Sequence, residues 1–218
     1  MRNKGSLLKE LPVLVVVALV VSLLIKTFLV QFFYIPSGSM ENTLQVKDRV
    51  AVNKLPFLSK DINRGDVVVF RDPDNWLPQI TDYGTNKYVA KAKGALVAVG
   101  VLPNPAKQYL VKRVVGVAGD HIVCCTKSGN LTINEVEVTE PYIFDGNKPS
   151  EMTFDVTVPK GKLWVMGDHR SASADSRYHQ EDINKGFVPL SRVTGRVVAI
   201  IWPFKNITYV PKVDVLKK

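Results

Sequence analysis

From Leu11 to Ile35 the chain is almost wholly apolar, interrupted by Lys26, Thr27 and Gln31, and it then runs into Ile35-Pro36-Ser37-Gly38-Ser39-Met40. About 20 apolar residues cross a bilayer core, so the run is long enough for a transmembrane helix if Lys26 snorkels to a headgroup layer. Arg2, Lys4 and Lys9 precede it, and the positive-inside tendency then puts the N-terminus in the cytoplasm and Ser39 outside. At roughly 3.3 Å per extended residue, Ser39 lies within about 13 Å of Ile35. Its hydroxyl is thereby expected at the lipid–water boundary. A cleaved signal peptide with residues 11–25 as its apolar core is the competing reading. No small-x-small triplet lies between Ile25 and Ser37, and Phe32-Phe33-Tyr34 suit an interfacial belt. A retained anchor in the plasma membrane, spanning it once, is expected.

With 218 residues there is room for one anchor and one domain with a real core. The expected division is a cytoplasmic stretch at 1–10, the anchor at 11–35, an extracytoplasmic domain at 36–211 and a tail at 212–218. A net charge of +9 fits an anionic membrane surface better than nucleic acid, because no basic run is interleaved with aromatics. No nucleic-acid partner is expected. Trp76 and Trp202 are candidates for interfacial contact. Cys124 and Cys125 are adjacent; on a strand one faces the core and the other outward, and a strained vicinal disulfide is open to them. The histidines, His121, His169 and His179, are scattered, which disfavours a metal site.

Beyond Met40 the chain reads as short strands at 49–53, 67–70, 109–116, 120–125, 131–133, 153–158, 162–166 and 193–201. All are rich in Val, Ile and Thr and are parted by Gly, Pro, Asn and Asp. The expected fold is mainly β, an antiparallel sandwich or partly open barrel behind one N-terminal transmembrane helix. Residues 72–108 form an insertion with a short helix expected within 90–102, and 138–152 reads as a surface loop.

A lone serine is a weak nucleophile and needs a base within hydrogen-bond reach. Alternation along Tyr109-Leu110-Val111-Lys112-Arg113-Val114-Val115 puts Lys112 on one face with Leu110 and Val114. An apolar setting disfavours the ammonium form, moving a lysine from about 10.4 toward the neutral range in which it can act as a base. Gly167-Asp168-His169-Arg170, followed by Ser173, Asp175, Ser176 and Arg177, places two acid–arginine pairs in one turn after an apolar strand. By itself such a turn is salt-bridged scaffolding. Beside a lysine base, Ser173 is suited to orient that base, with Asp175 and Arg177 bracing the loop.

The order of these elements resembles the bacterial type I signal peptidases: an anchor, Pro36-Ser37-Gly38-Ser39-Met40, then Lys112-Arg113-Val114-Val115-Gly116 with Gly119-Asp120, then Gly167-Asp168-His169-Arg170 through Arg177. The resemblance covers the chain from the anchor to about Pro203. It implies a Ser–Lys serine endopeptidase, without cofactor or metal, that removes N-terminal signal peptides from translocated preproteins after small residues at −1 and −3. It also implies secretory preproteins, the lipid bilayer and the secretion translocon as partners. By matching position, Ser39 is the nucleophile, Lys112 the general base and Ser37 an oxyanion donor beside the Ser39 N–H. Ser173 hydrogen-bonds Lys112, and Asp168, Arg170, Asp175 and Arg177 support the site. Ile35, Met40, Leu44 and Val111 line a shallow pocket for small side chains. The adjacent cysteines and the long insertion resemble actinobacterial members.

Three positions depart from the family pattern. Asn42 stands where Pro is frequent, His169 where Asn is common and Ala118 where Pro precedes Gly119. Three rival readings are a Ser–His–Asp triad on His169, a self-cleaving Ser–Lys autoprotease, and a membrane-tethered β domain without enzymatic activity. Asp168 points away from His169 in extended geometry. The anchor and the lack of a DNA-binding segment oppose the autoprotease.

Overall fold

The structure is a computed structural model that describes residues 10–21, 29–55, 62–78 and 108–213. The helix expected within 90–102 lies outside the described residues. Residues 10–21 are helical, and the large apolar side chains they carry are exposed. No helix among the described residues is long and apolar enough to cross a membrane.

Twelve strands follow: β1 (Val30–Tyr34), β2 (Arg49–Asn53), β3 (Val67–Arg71), β4 (Tyr109–Gly116), β5 (His121–Cys124), β6 (Leu131–Ile133), β7 (Val136–Glu137), β8 (Phe154–Thr157), β9 (Lys162–Met166), β10 (Val188–Pro189), β11 (Val193–Trp202) and β12 (Thr208–Tyr209). They form two sheets. The larger has eight strands in the order β1-β2-β11-β3-β4-β9-β10, with β12 on β11; the smaller has the order β7-β6-β5-β8. Neighbours pair antiparallel throughout. The expected β-rich antiparallel fold is what the chain adopts.

β3 shows why the larger sheet holds the site. Val67, Val68, Val69 and Phe70 are all buried, so its two faces serve two cores. Val68 and Phe70 pack with Trp76, Leu110, Val114 and Val165. Val67 and Val69 pack with Ile35, Met40, Leu44, Val50 and Val197. An uninterrupted run of β-branched residues suits a strand covered on both sides. A third cluster, around Ile122, Leu131, Phe154 and Trp164, joins the smaller sheet to β9.

One boundary differs from the sequence expectation. Val30–Tyr34 was expected within the anchor but pairs with Arg49–Asn53 as an edge strand, Phe32 opposite Ala51 and Tyr34 opposite Arg49. Ile35, expected as the end of the same run, is buried in the core. Apolarity alone does not separate a strand from a helix, and aromatic and β-branched residues favour the strand once a partner is available. The two-residue strands β7, β10 and β12 carry too short a pattern to be read from sequence. Trp76 also departs from expectation: it is buried, edge-on to Phe70 and stacked on His179 at 4.3 Å, while Trp202 stays exposed. A disulfide joins Cys124 to Cys125, the first buried and the second exposed.

Candidate active site

Ser39 sits in a tight turn between β1 and β2. The Glu41 N–H donates to the Gly38 carbonyl at 3.0 Å and the Leu44 N–H to the Met40 carbonyl at 2.8 Å. Met40 and Leu44 sink into the core beside Ile35, so apolar burial fixes the turn, and Ser39 within it is buried as well. Lys112 lies in the middle of β4, opposite Val68 of β3, and is only 4% exposed. Its Nζ is 2.6 Å from Ser39 Oγ. The two side chains come from positions 73 apart in sequence.

The electrostatics of Lys112 follow from its neighbours. Burial pushes its pKa from 10.5 down to about 8, while the Asp175 and Asp168 charges resist and Arg177 assists. The carboxylates fail to hold the ammonium because each is engaged elsewhere. Asp168 is gripped by Arg113, Nε to Oδ1 at 2.8 Å and Nη2 to Oδ2 at 2.6 Å, and also accepts from the Thr43 hydroxyl. Asp175 accepts from Arg177, from the Gly167 N–H at 2.9 Å and from the Ser173 hydroxyl at 2.7 Å. Burial opposes the Asp175 charge, but these partners, Arg177 foremost, hold its carboxyl below the usual range. Arg170 pairs with Glu140 through both guanidinium ends and donates to the carbonyls of Gly167 and Pro149. Three acids thus meet three arginines. Opposite charges this close cancel at a distance, and desolvation decides the state of the lysine.

Gly167 makes the close approach possible. A Cβ there would stand 2.3 Å from Ser173 Oγ and 2.4 Å from the Ser39 carbonyl oxygen, so only glycine lets the 167–177 loop lie against the Ser39 turn. The same loop reaches the turn through the His169 N–H, which donates to the Ser39 carbonyl at 3.2 Å.

Several expected contacts are rearranged. Ser173 donates to Asp175 rather than to Lys112, so its link to the lysine runs through the Asp175 carboxylate. Asp168 and Arg170, neighbours in the expected salt-bridged turn, do not pair; each finds a partner from another part of the chain. Ile35, Met40 and Leu44 are fully packed beneath the turn and form core rather than an open lining, while Val111 is partly buried against the same cluster. Ser37 is exposed at the front of the turn. His169 stacks on Phe144 at 4.1 Å and its Nδ1 faces Glu41, not Ser39 Oγ. A cavity of about 390 Å³ opens on the other side of Arg113, lined also by Asn42, Thr43, Tyr142 and Val210; neither Ser39 nor Lys112 lines it.

Arg113, Thr43, Glu140 and Tyr142 complete the site without having been singled out as site residues. The Arg113 guanidinium lies 4.0 Å over the Tyr142 ring, and the Tyr142 hydroxyl donates to Glu140 at 2.8 Å. Glu140 and Tyr142 fall in the stretch expected as a surface loop, yet both are buried. Only the Lys112-Arg113 dipeptide carried any signal, because a basic residue flanked by valines needs a buried acid.

Comparison with known proteins gives the family. Residues 8–202 match the family model described as signal peptidase, peptidase S26. A probable signal peptidase I of Mycobacterium leprae is 36% identical over 228 residues, covering 92% of this chain and 78% of the relative. A signal peptidase I of Mycobacterium tuberculosis is 37% identical over 224 residues, covering 92% and 74%. One from Bacillus licheniformis is 30% identical over 213 residues, covering 94% of each. The protein is a peptidase by class. It belongs to the signal peptidase, peptidase S26 family.

Proposed function

We propose that this protein is a membrane-anchored serine endopeptidase that removes N-terminal signal peptides from translocated preproteins, with Ser39 and Lys112 as its catalytic dyad. The observation that carries the reading is the 2.6 Å approach of Lys112 Nζ to Ser39 Oγ, with burial lowering the lysine to about 8. A neutral Lys112 takes the hydroxyl proton as Ser39 Oγ bonds to the carbonyl carbon of the −1 residue. The Ser39 N–H and the Ser37 hydroxyl donate to the oxyanion. Lys112 passes its proton to the departing amine of the mature chain. It then takes a proton from water, whose oxygen attacks the acyl carbon; the bond to Ser39 Oγ breaks, Lys112 returns the proton to that oxygen, and the signal peptide leaves as its carboxylate. Asp168, Arg170, Ser173, Asp175 and Arg177 hold the lysine and the turn in place. Val111 is the edge of a slot that admits small side chains by excluding large ones, with Ile35, Met40 and Leu44 as the packed core beneath it.

The apolar run ahead of β1 serves as the anchor, supported by the exposed apolar side chains of residues 10–21. The cytoplasmic stretch is 1–10 and the domain begins at β1, with the 72–108 insertion within it and 212–218 as a tail. Anchoring puts enzyme and preprotein in one bilayer, beside the translocon, and raises their effective concentration. The test is preprotein cleavage by the wild type, Ser39→Ala, Lys112→Ala and His169→Ala. Loss of turnover in the first two variants supports the dyad. Near-normal turnover in either of them rejects it, and activity that survives Lys112→Ala but not His169→Ala assigns the base to the histidine.

A further inference from the structure

We propose that Glu41 and His169 are a positioning pair that holds the Gly38–Ser39 peptide in its reactive orientation, an inference that rests on Ser39 being the nucleophile. His169 grips the turn at two places. Its backbone N–H donates to the Ser39 carbonyl at 3.2 Å, and its ring Nδ1 lies 3.1 Å from Glu41 Oε2. Glu41 folds back over the turn it closes: its own N–H donates to the Gly38 carbonyl, and its carboxyl group stands beside the Gly38 Cα. A Cβ on Gly38 would meet Glu41 Cδ at 2.9 Å and both carboxylate oxygens at 3.0 Å.

The Gly38 carbonyl is held by the Glu41 N–H, and the Glu41 side chain that meets His169 covers the Gly38 Cα. A peptide unit is planar, so holding the Gly38 carbonyl fixes where the Ser39 N–H of the same plane points, while His169 holds the next peptide through the Ser39 carbonyl. That N–H is the main-chain donor to the oxyanion, and a donor there acts through its aim at the oxygen. The imidazole is held in turn by the Phe144 ring, 4.1 Å away and nearly parallel. The two side chains are partly exposed, 19% and 28%. A pair this exposed adds little to stability, so its contribution is expected in kcat.

The discriminating variant is His169→Phe, which keeps the ring on Phe144 and removes the nitrogen facing Glu41. His169→Asn places an amide nitrogen the same number of bonds from Cα as Nδ1 and can rebuild the contact. Full-length wild type, Ser39→Ala, His169→Phe, His169→Asn, Glu41→Ala and the Glu41→Ala/His169→Phe double variant are compared on one preprotein, for kcat, KM and thermal unfolding. His169→Phe and Glu41→Ala are expected to lower kcat by about tenfold with KM and Tm little changed. His169→Asn is expected to recover most of that loss, and the double variant to fall no further than either single one. Undiminished kcat in His169→Phe overturns the proposal, as does a His169→Asn variant equally impaired, or a double variant whose losses multiply. Turnover in Ser39→Ala would instead remove the assignment on which the pair depends.

Discussion

The Asp168 carboxylate binds Arg113 through two hydrogen bonds, at 2.8 and 2.6 Å, across 55 positions of sequence. Arg113 adjoins Lys112 on β4, so the acid beside the lysine is one already paired. Its charge still favours the ammonium at Lys112, and burial outweighs it.

The first expectation concerns that pair. Removing one partner of a buried, hydrogen-bonded ion pair leaves the other charge uncompensated, at about 3–5 kcal/mol. Arg113→Met is expected to destabilise by that order and to lower activity, since the freed Asp168 carboxylate then favours protonated Lys112. The double variant Arg113→Met/Asp168→Leu is expected to be more stable than Arg113→Met alone. Chemical denaturation of the three proteins checks this.

Activity is expected to rise with pH. Only neutral Lys112 can take the Ser39 proton, and it becomes neutral as pH passes about 8. kcat/KM should climb about tenfold per pH unit well below that value and level off above it. A profile already flat at pH 6 would assign the base elsewhere.

Stability carries the same signature with a definite sign. The folded protein releases the Lys112 proton near pH 8 and the unfolded chain near 10.5, so between those values the unfolded state binds more protons and stability rises with pH. Lys112→Met lacks this term. Relative to that variant the wild type should gain about 3 kcal/mol between pH 8 and 10.5, measured as the difference in denaturation free energy across the range.

Gly167→Ala tests the loop contact. Its Cβ would fall within 2.4 Å of both Ser173 Oγ and the Ser39 carbonyl oxygen, so the loop or the Ser39 turn must shift. Overpacking of this kind costs about 1–3 kcal/mol. A larger effect is expected in kcat, because the shift falls on Ser39. Thermal unfolding and turnover measured together separate the two.

Asn42→Pro is expected to impair the protein although proline is frequent there in the family. Asn42 has φ +88°, while proline is confined near −65°. Its amide also donates to the carbonyls of Tyr142 and Ile143, both at 3.2 Å. The turn is pinned here by a side chain where a ring often stiffens it. Asn42→Gly is expected to keep the backbone and lose only the two hydrogen bonds, so it should be the milder change in a thermal unfolding comparison.

The antiparallel strands are legible from the residues alone, and so is the pairing of Ser39 with Lys112 as a candidate. Strand periodicity is local, and at 49–53, 109–116, 131–133 and 162–166 the expected bounds agree with the observed ones residue for residue. A lysine between Leu110 and Val114 on one strand face is legible as a candidate for burial, although alternation equally allows a lysine that snorkels from an edge strand, and the neighbouring motifs had to decide between them. Which partners the charges take, and on which side of a boundary an apolar run falls, depends on packing. Val30–Tyr34 is as apolar as a membrane span and became a strand because β2 offered it hydrogen bonds. Asp168 chose Arg113 over Arg170, and Arg170 chose Glu140 from a stretch that reads as surface loop. The face of a strand is set by its own residues. An ion pair is set by which elements packing brings within about 3 Å, and no spacing in the chain encodes that.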